Sequence, residues 1–294
     1  MRRWLGVAGG AALMAGLGLA AATGGGLAQE TVNLPSNYQL GLQDSATPVM
    51  DGITWMHDSV LLPIITVITL LVLGLLVIVM VRFNARSNPT PSRTTHNTTV
   101  EVLWTVVPIV ILIAIAIPSF KLLYLQRVLP EADMTIKAVG HQWYWSYEYP
   151  DHGEFTFDSL MLEDDELGAG QPRLFAVDNP VVVPQGQVIR VQVTADDVIH
   201  DWAVPAFGLK MDAIPGRLNE TWFKADKAGT YYGMCSELCG VRHAYMPIEV
   251  RVLPEAEFDR WVEQAQAEFA AVPHREGDGD RRTAAVDEAG RQAN

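Results

Sequence analysis

Two long apolar stretches set the organisation of the chain. Val60 to Val81 is apolar but for Thr66 and Thr69, and Val100 to about Leu123 holds one acid, Glu101, near its start. Each is long enough to cross a bilayer, which takes about 20 helical residues. The segment joining them carries Arg82, Arg86 and Arg93 and no acid. The segment before them carries Glu30, Asp44, Asp51 and Asp58 and no Lys or Arg. Basic loops stay on the cytoplasmic side, so the spans form a hairpin with both ends outside. At the start, Met1-Arg2-Arg3 precedes a Gly/Ala-rich apolar stretch from Trp4 to about Ala22, and small residues follow at Gly26-Leu27-Ala28. This reads as a signal peptide over residues 1–28, with Gln29 opening the mature chain. A retained first span is the competing reading, against which the helix-weakening Gly content counts.

Beyond residue 130 the apolar period shortens to two. In Val188–Thr194 the residues Ile189, Val191 and Val193 share one face, and in Pro247–Val252 so do Ile248, Val250 and Val252. These are half-buried strands. Shorter candidates are Thr135–Val139, Trp143–Tyr149, Leu174–Val177, Thr221–Lys224 and Thr230–Gly233. Turn signals such as Asp178-Asn179-Pro180 and Pro184-Gln185-Gly186 separate them. Many short strands at close spacing predict an all-β sandwich or Greek-key barrel over 131–253. Pro254 opens an amphipathic stretch with Phe258, Trp261, Val262 and Phe269 apolar, a closing helix over 254–272. The polar remainder, 273–294, reads as disordered. The full division is thus signal 1–28, external segment 29–59, span 60–81, cytoplasmic loop 82–99, span 100–123, external domain, helix and tail.

Composition narrows the chemistry. A net charge of −13 over 294 residues argues against nucleic acid and allows a basic partner. The 131–253 segment holds 19 acids against 9 Lys or Arg. The only two cysteines, Cys235 and Cys239, cannot build a disulfide framework.

Those cysteines open the most informative string, Cys235-Ser236-Glu237-Leu238-Cys239-Gly240-Val241-Arg242-His243-Ala244-Tyr245-Met246. Two thiols, an imidazole and a thioether favour copper over magnesium or calcium, and His200 offers a second imidazole. A Cys235–Cys239 disulfide is plausible in an exported chain, but leaves His243 and Met246 unexplained. Structural zinc has little use for Met. A mononuclear blue-copper site would leave one thiolate over. Two thiolates, two imidazoles and a Met fit a two-copper site better, each sulfur bridging both metals.

The same string resembles the copper A loop of the cytochrome c oxidase subunit II family. The resemblance extends to Gly140-His141-Gln142-Trp143-Tyr144-Trp145-Ser146-Tyr147-Glu148-Tyr149, to Asp197-Val198-Ile199-His200-Asp201-Trp202-Ala203-Val204-Pro205 and to Leu209–Arg217. It spans about Asn33 to Trp261. It implies a cupredoxin-like Greek-key sandwich behind a two-helix transmembrane hairpin. The copper ligands would be His200, Cys235, Cys239, His243, Met246 and the carbonyl of Glu237, whose side chain would bind a magnesium shared with the large subunit. Electrons would enter from cytochrome c at Trp143, with Glu148, Asp151, Asp158 and Asp178 steering the donor. Glu101 would stand at the mouth of a proton-uptake path. The resemblance also implies a large haem-bearing subunit that reduces oxygen and pumps protons, further oxidase subunits, and placement in a bacterial-type inner membrane with the copper domain and both termini outside. Reduced thiols in an oxidising compartment imply a copper-loading assembly factor. A membrane-tethered copper carrier or metallochaperone is the alternative. Glu163 to Glu166 is an acid run without an assigned role.

Overall fold

The computed structural model describes residues 31–269. The signal peptide expected over 1–28 and the tail expected over 273–294 lie outside the described residues. The first long helix runs in three pieces: α1 (Pro48–Trp55), a π-helical segment (Met56–Leu61) and α2 (Leu62–Arg82). It therefore starts well before Val60. Thr47 caps it by accepting the Met50 N–H, and Pro48 takes a first-turn position where no N–H is needed. The polar residues His57, Asp58 and Ser59, just ahead of the apolar span, lie within the wider π turns. The second, α3 (Thr98–Arg127), also outruns its apolar core. Asn97 caps it, and Glu101 Oε1 accepts the Asn97 N–H, closing a reciprocal capping pair. Helix α1 leans on α3 at Gly52, where a Cβ would meet the Leu122 side chain at 2.9 Å.

The external domain is two packed sheets. One has the order β5 (Val181–Pro184), β11 (Pro247–Leu253), β10 (Gly229–Cys235), β7 (His200–Val204), β8 (Leu209–Ala213). The short β1 (Thr31–Asn33) runs parallel to the Gly229–Tyr231 half of β10, while β7 takes the Met234–Cys235 half. The other has the order β4 (Phe155–Ser159), β3 (Tyr144–Tyr149), β2 (Met134–His141), β6 (Ile189–Ala195), β9 (Asn219–Phe223). Alternation works as expected in β6, where Ile189, Val191 and Val193 are fully buried between the sheets. Leu174–Val177 is no strand: it forms turns with one bridge, Val177 to Met161, because the chain doubles back at Pro172. Strands β1, β4, β5, β7 and β8 have no counterpart among the strands expected from the sequence. β7 is buried along its whole length, so it shows no polar face to alternate.

Aromatic side chains fill the core. Trp202 Nε1 donates to Tyr147 Oη at 3.2 Å, and Tyr149 Oη bonds both backbone groups of Val182 at 2.9 Å. Helix α4 (Glu255–Phe269) covers β3 and β4 with Trp261, whose ring lies 5.3 Å from Tyr149 and 5.9 Å from Phe155. Hydrogen bonds join domain and membrane helices: Trp222 Nε1 donates to the Leu125 carbonyl at 3.3 Å, and Thr47 Oγ1 donates to the Phe207 carbonyl at 2.8 Å.

Gly233 sits where β10 meets β7, and a Cβ there would collide with the Ala203 carbonyl oxygen. Backbone cannot yield as a side-chain end can. Gly233→Ala is expected to cost about 3 kcal/mol or more, read as a lowered thermal midpoint with loss of the pairing that carries Cys235.

Candidate metal centre

Three chain segments converge at one end of the first sheet. β10 ends at Cys235, β7 begins at His200, and Met246 precedes β11. Strand pairing sets Cys235 opposite Trp202 and Met234 opposite Pro247. The Cys235 N–H also donates to the Met246 carbonyl at 3.3 Å. Between Cys235 and Met246 the chain loops out through Cys239 and a short 3-10 turn, His243–Tyr245.

The donors fall into two sets around a sulfur pair. Cys235 Sγ and Cys239 Sγ are 3.8 Å apart. On the Cys235 side lie His200 Nδ1 at 3.9 Å and the Glu237 carbonyl at 3.3 Å. On the Cys239 side lie His243 Nδ1 and Met246 Sδ, both at 3.5 Å. His200, Cys235 and Cys239 together place one ligand atom each within 4.8 Å of the others. His200, Cys235, Cys239 and Met246 are buried, whereas the Glu237 side chain is exposed.

The surrounding residues orient these donors. His200 Nε2 meets Asp197 Oδ1 at 2.9 Å, so Nε2 carries the proton and Nδ1 presents its lone pair to the sulfurs. Burial alone would raise the Asp197 carboxyl, but the His200 bond and the N–H groups of Val198 and Gln142 outweigh it and hold it below the usual range. Trp145 walls the far side, its ring 5.9 Å from His200. Gly140 lets the second sheet close on His200, since a Cβ there would fall 2.8 Å from the ring. Gln142 Nε2 and Trp143 Nε1 both donate to the Cys239 carbonyl, at 2.8 and 3.1 Å. Asp197 and Gln142 were not singled out in the sequence. The run of acids Asp196-Asp197 three positions before a candidate ligand was the available signal.

The remaining sequence candidates lie apart from the donors, and each acid has local partners. Glu148 pairs with Lys137 at 2.8 Å across β3 and β2. Asp151 accepts the Thr135 N–H at 2.7 Å. Asp158 accepts from Ser146 Oγ at 2.7 Å, and that hydroxyl also meets His141 Nε2 at 3.0 Å. Asp178 accepts the Leu160 N–H at 2.7 Å. Glu101 lies in the first turn of α3. Asp201, next to His200, stands opposite Asp212 in the β7–β8 pair, and burial with that neighbour raises it to about 7.

Soft sulfur, imidazole and one carbonyl, arranged as two sets sharing two sulfurs, fit copper and leave no role for a hard ion among these donors. Both cysteines are free thiols. Burial, and Cys235 beside it, push the Cys239 thiol up to about 12. The native state thus keeps a proton that the unfolded chain gives up above about pH 8.5. Reduced, metal-free chain is expected to lose stability as pH rises through that window. Alkylation of Cys239 should keep accelerating above about pH 10, where an ordinary thiol has levelled off.

Comparison with known proteins identifies the family. The profile of the cytochrome c oxidase subunit II periplasmic domain matches residues 134–253, and that of the subunit II transmembrane domain matches residues 35–122. A probable cytochrome c oxidase subunit 2 of Rickettsia bellii is 51% identical over 228 residues, covering 78% of this chain and 84% of that protein. Cytochrome c oxidase subunit 2 of Cereibacter sphaeroides is 44% identical over 270 residues, covering 85% and 88%. The crystal structure of the periplasmic domain of subunit II of the Bradyrhizobium japonicum oxidase is 63% identical, covers 48% of this chain and 99% of that one, and superposes with a TM-score of 0.46. With two apolar helices ahead of a cupredoxin-like β-sandwich, this chain belongs to the cytochrome c oxidase subunit II family.

Proposed function

We propose that the chain, as the electron-entry subunit of a membrane-bound haem–copper oxidase, receives electrons from cytochrome c at a dinuclear copper A centre and passes them to haem in the large subunit. The observation that carries this is the sulfur pair flanked by two unlike donor sets, His200 with the Glu237 carbonyl and His243 with Met246. His200, Cys235, Cys239, His243, Met246 and the Glu237 carbonyl would hold the copper, which would supply a one-electron store. The protein's part is to hold the donors still and dry. Asp197 fixes the His200 ring, Gln142 and Trp143 fix the Cys239 carbonyl, and the strand ends fix Cys235. Rigid donors change little between oxidation states, which keeps reorganisation small. The burial of His200, Cys235, Cys239 and Met246 also opposes easy release, which counts against the copper-carrier alternative.

Trp143 serves as the entry point. Its half-buried indole bonds the Cys239 carbonyl and fills the space a Cβ on Gly240 would need, a short link from the outer face to a ligand. Glu148, Asp151, Asp158 and Asp178 contribute, beyond their local bonds, to an acidic field that steers a basic donor. The Glu237 carboxylate suits a magnesium ion completed by the large subunit. Glu101, at the cytoplasmic start of α3, serves proton uptake. The positive-inside pattern supports termini on the periplasmic side. Two free thiols at 3.8 Å in an oxidising compartment close readily into a disulfide, so a reducing and copper-loading factor is required before assembly.

The test uses the complex purified from membranes. Two coppers per chain, with one unpaired electron coupled equally to both nuclei in the oxidised spin-resonance spectrum, are expected. One copper with a single-nucleus pattern, or a Cys235–Cys239 disulfide without copper, would return the chain to a carrier or structural module. Trp143→Leu should slow reduction by cytochrome c by about tenfold or more, a barrier increase of ~1.4 kcal/mol. The copper spectrum should persist, because Gln142 still holds the Cys239 carbonyl.

A further inference from the structure

The acid run Glu163–Glu166 plays no part in the electron route, and its geometry assigns it another use. We infer that Glu163 is a positioning residue for the metal-ligand loop and acts through Arg242. This rests on the reading that Cys239, His243 and Met246 hold copper. Arg242 Nη2 donates to Glu163 Oε1 at 3.1 Å, joining segments 79 residues apart. The Arg242 guanidinium also lies 5.7 Å from the centre of the Tyr245 ring, and its side chain is only 20% exposed. The Arg242 carbonyl accepts the Tyr245 N–H at 2.8 Å, which closes the turn that begins at His243 and delivers Met246.

Glu163 has a firm base. Its N–H donates to Glu166 Oε2 at 3.0 Å, and the neighbouring Asp164 pairs with Arg173 at 2.8 Å. The Leu162 N–H donates to the Ala176 carbonyl, and the Val177 N–H donates to the buried Glu249. The run is therefore a brace with its own internal bonding. The ligand loop is gripped on two sides: Gln142 and Trp143 hold the Cys239 carbonyl, and Glu163 holds Arg242. Without the second grip, His243 can shift while Cys235, His200 and the Met246 backbone stay fixed at the strand ends. The pair is partly exposed, so its effect is local and sensitive to salt.

The test compares purified wild-type complex with Glu163→Gln. The variant is expected to keep its thermal midpoint, to show unequal coupling of the unpaired electron to the two nuclei, and to lose copper to a chelator about three- to tenfold faster. High salt should move the wild type toward the variant. Exchanging the charges, Glu163→Arg with Arg242→Glu, should restore the spectrum and the slower loss. A Glu163→Gln complex with the wild-type spectrum and loss rate, two coppers being present in both, would overturn the inference alone. So would a charge exchange that restores nothing. A wild type without paired coppers would instead sink the copper reading, and this inference with it.

Discussion

The pairing of β7 with β10 is the contact on which the rest of the centre depends. It spans only two residue pairs, Met234 with Ala203 and Cys235 with Trp202. Yet it brings together two chain segments 35 residues apart and sets His200 beside Cys235. Gly233 makes it possible by letting the strands approach where any side chain would strike the Ala203 carbonyl. Further along, β10 changes partner from β7 to β1, so the N-terminal segment completes the same strand that carries the first thiol. The ligand loop hangs between this pair and β11, and its end points are fixed before its own conformation matters.

Around that frame the donors are oriented in layers of decreasing burial. His200 is fully buried and is set by one carboxylate, Asp197, which is itself held by two backbone N–H groups. Cys239 is set through its carbonyl by two side chains from the turn between β2 and β3. His243 lies nearer the surface, in the part of the loop braced by a partly exposed ion pair. Within a β-sandwich this grading follows from position, since a loop leaves the rigid sheet at its ends and is freest at its middle.

Much of this was legible in the sequence. Strands β6 and β11 declared themselves by alternation, and the ligand string by the density of soft donors within one short stretch. The helical hairpin was plain from apolar length, but its boundaries were not. Capping at Thr47 and Asn97 carries both helices beyond their apolar cores, and a π segment admits His57 and Asp58. Strands β5 and β7 were hidden because a strand buried on both faces has no polar rhythm. The supports of the site were hidden for another reason. Gln142 reaches Cys239 across 97 positions and Glu163 reaches Arg242 across 79, and no local pattern encodes such pairs.

The bond from Trp222 to the Leu125 carbonyl ties strand β9 to the outer end of α3. A tilt of α3 would therefore reach the sandwich first at β9 and then, through strand pairing, at β6.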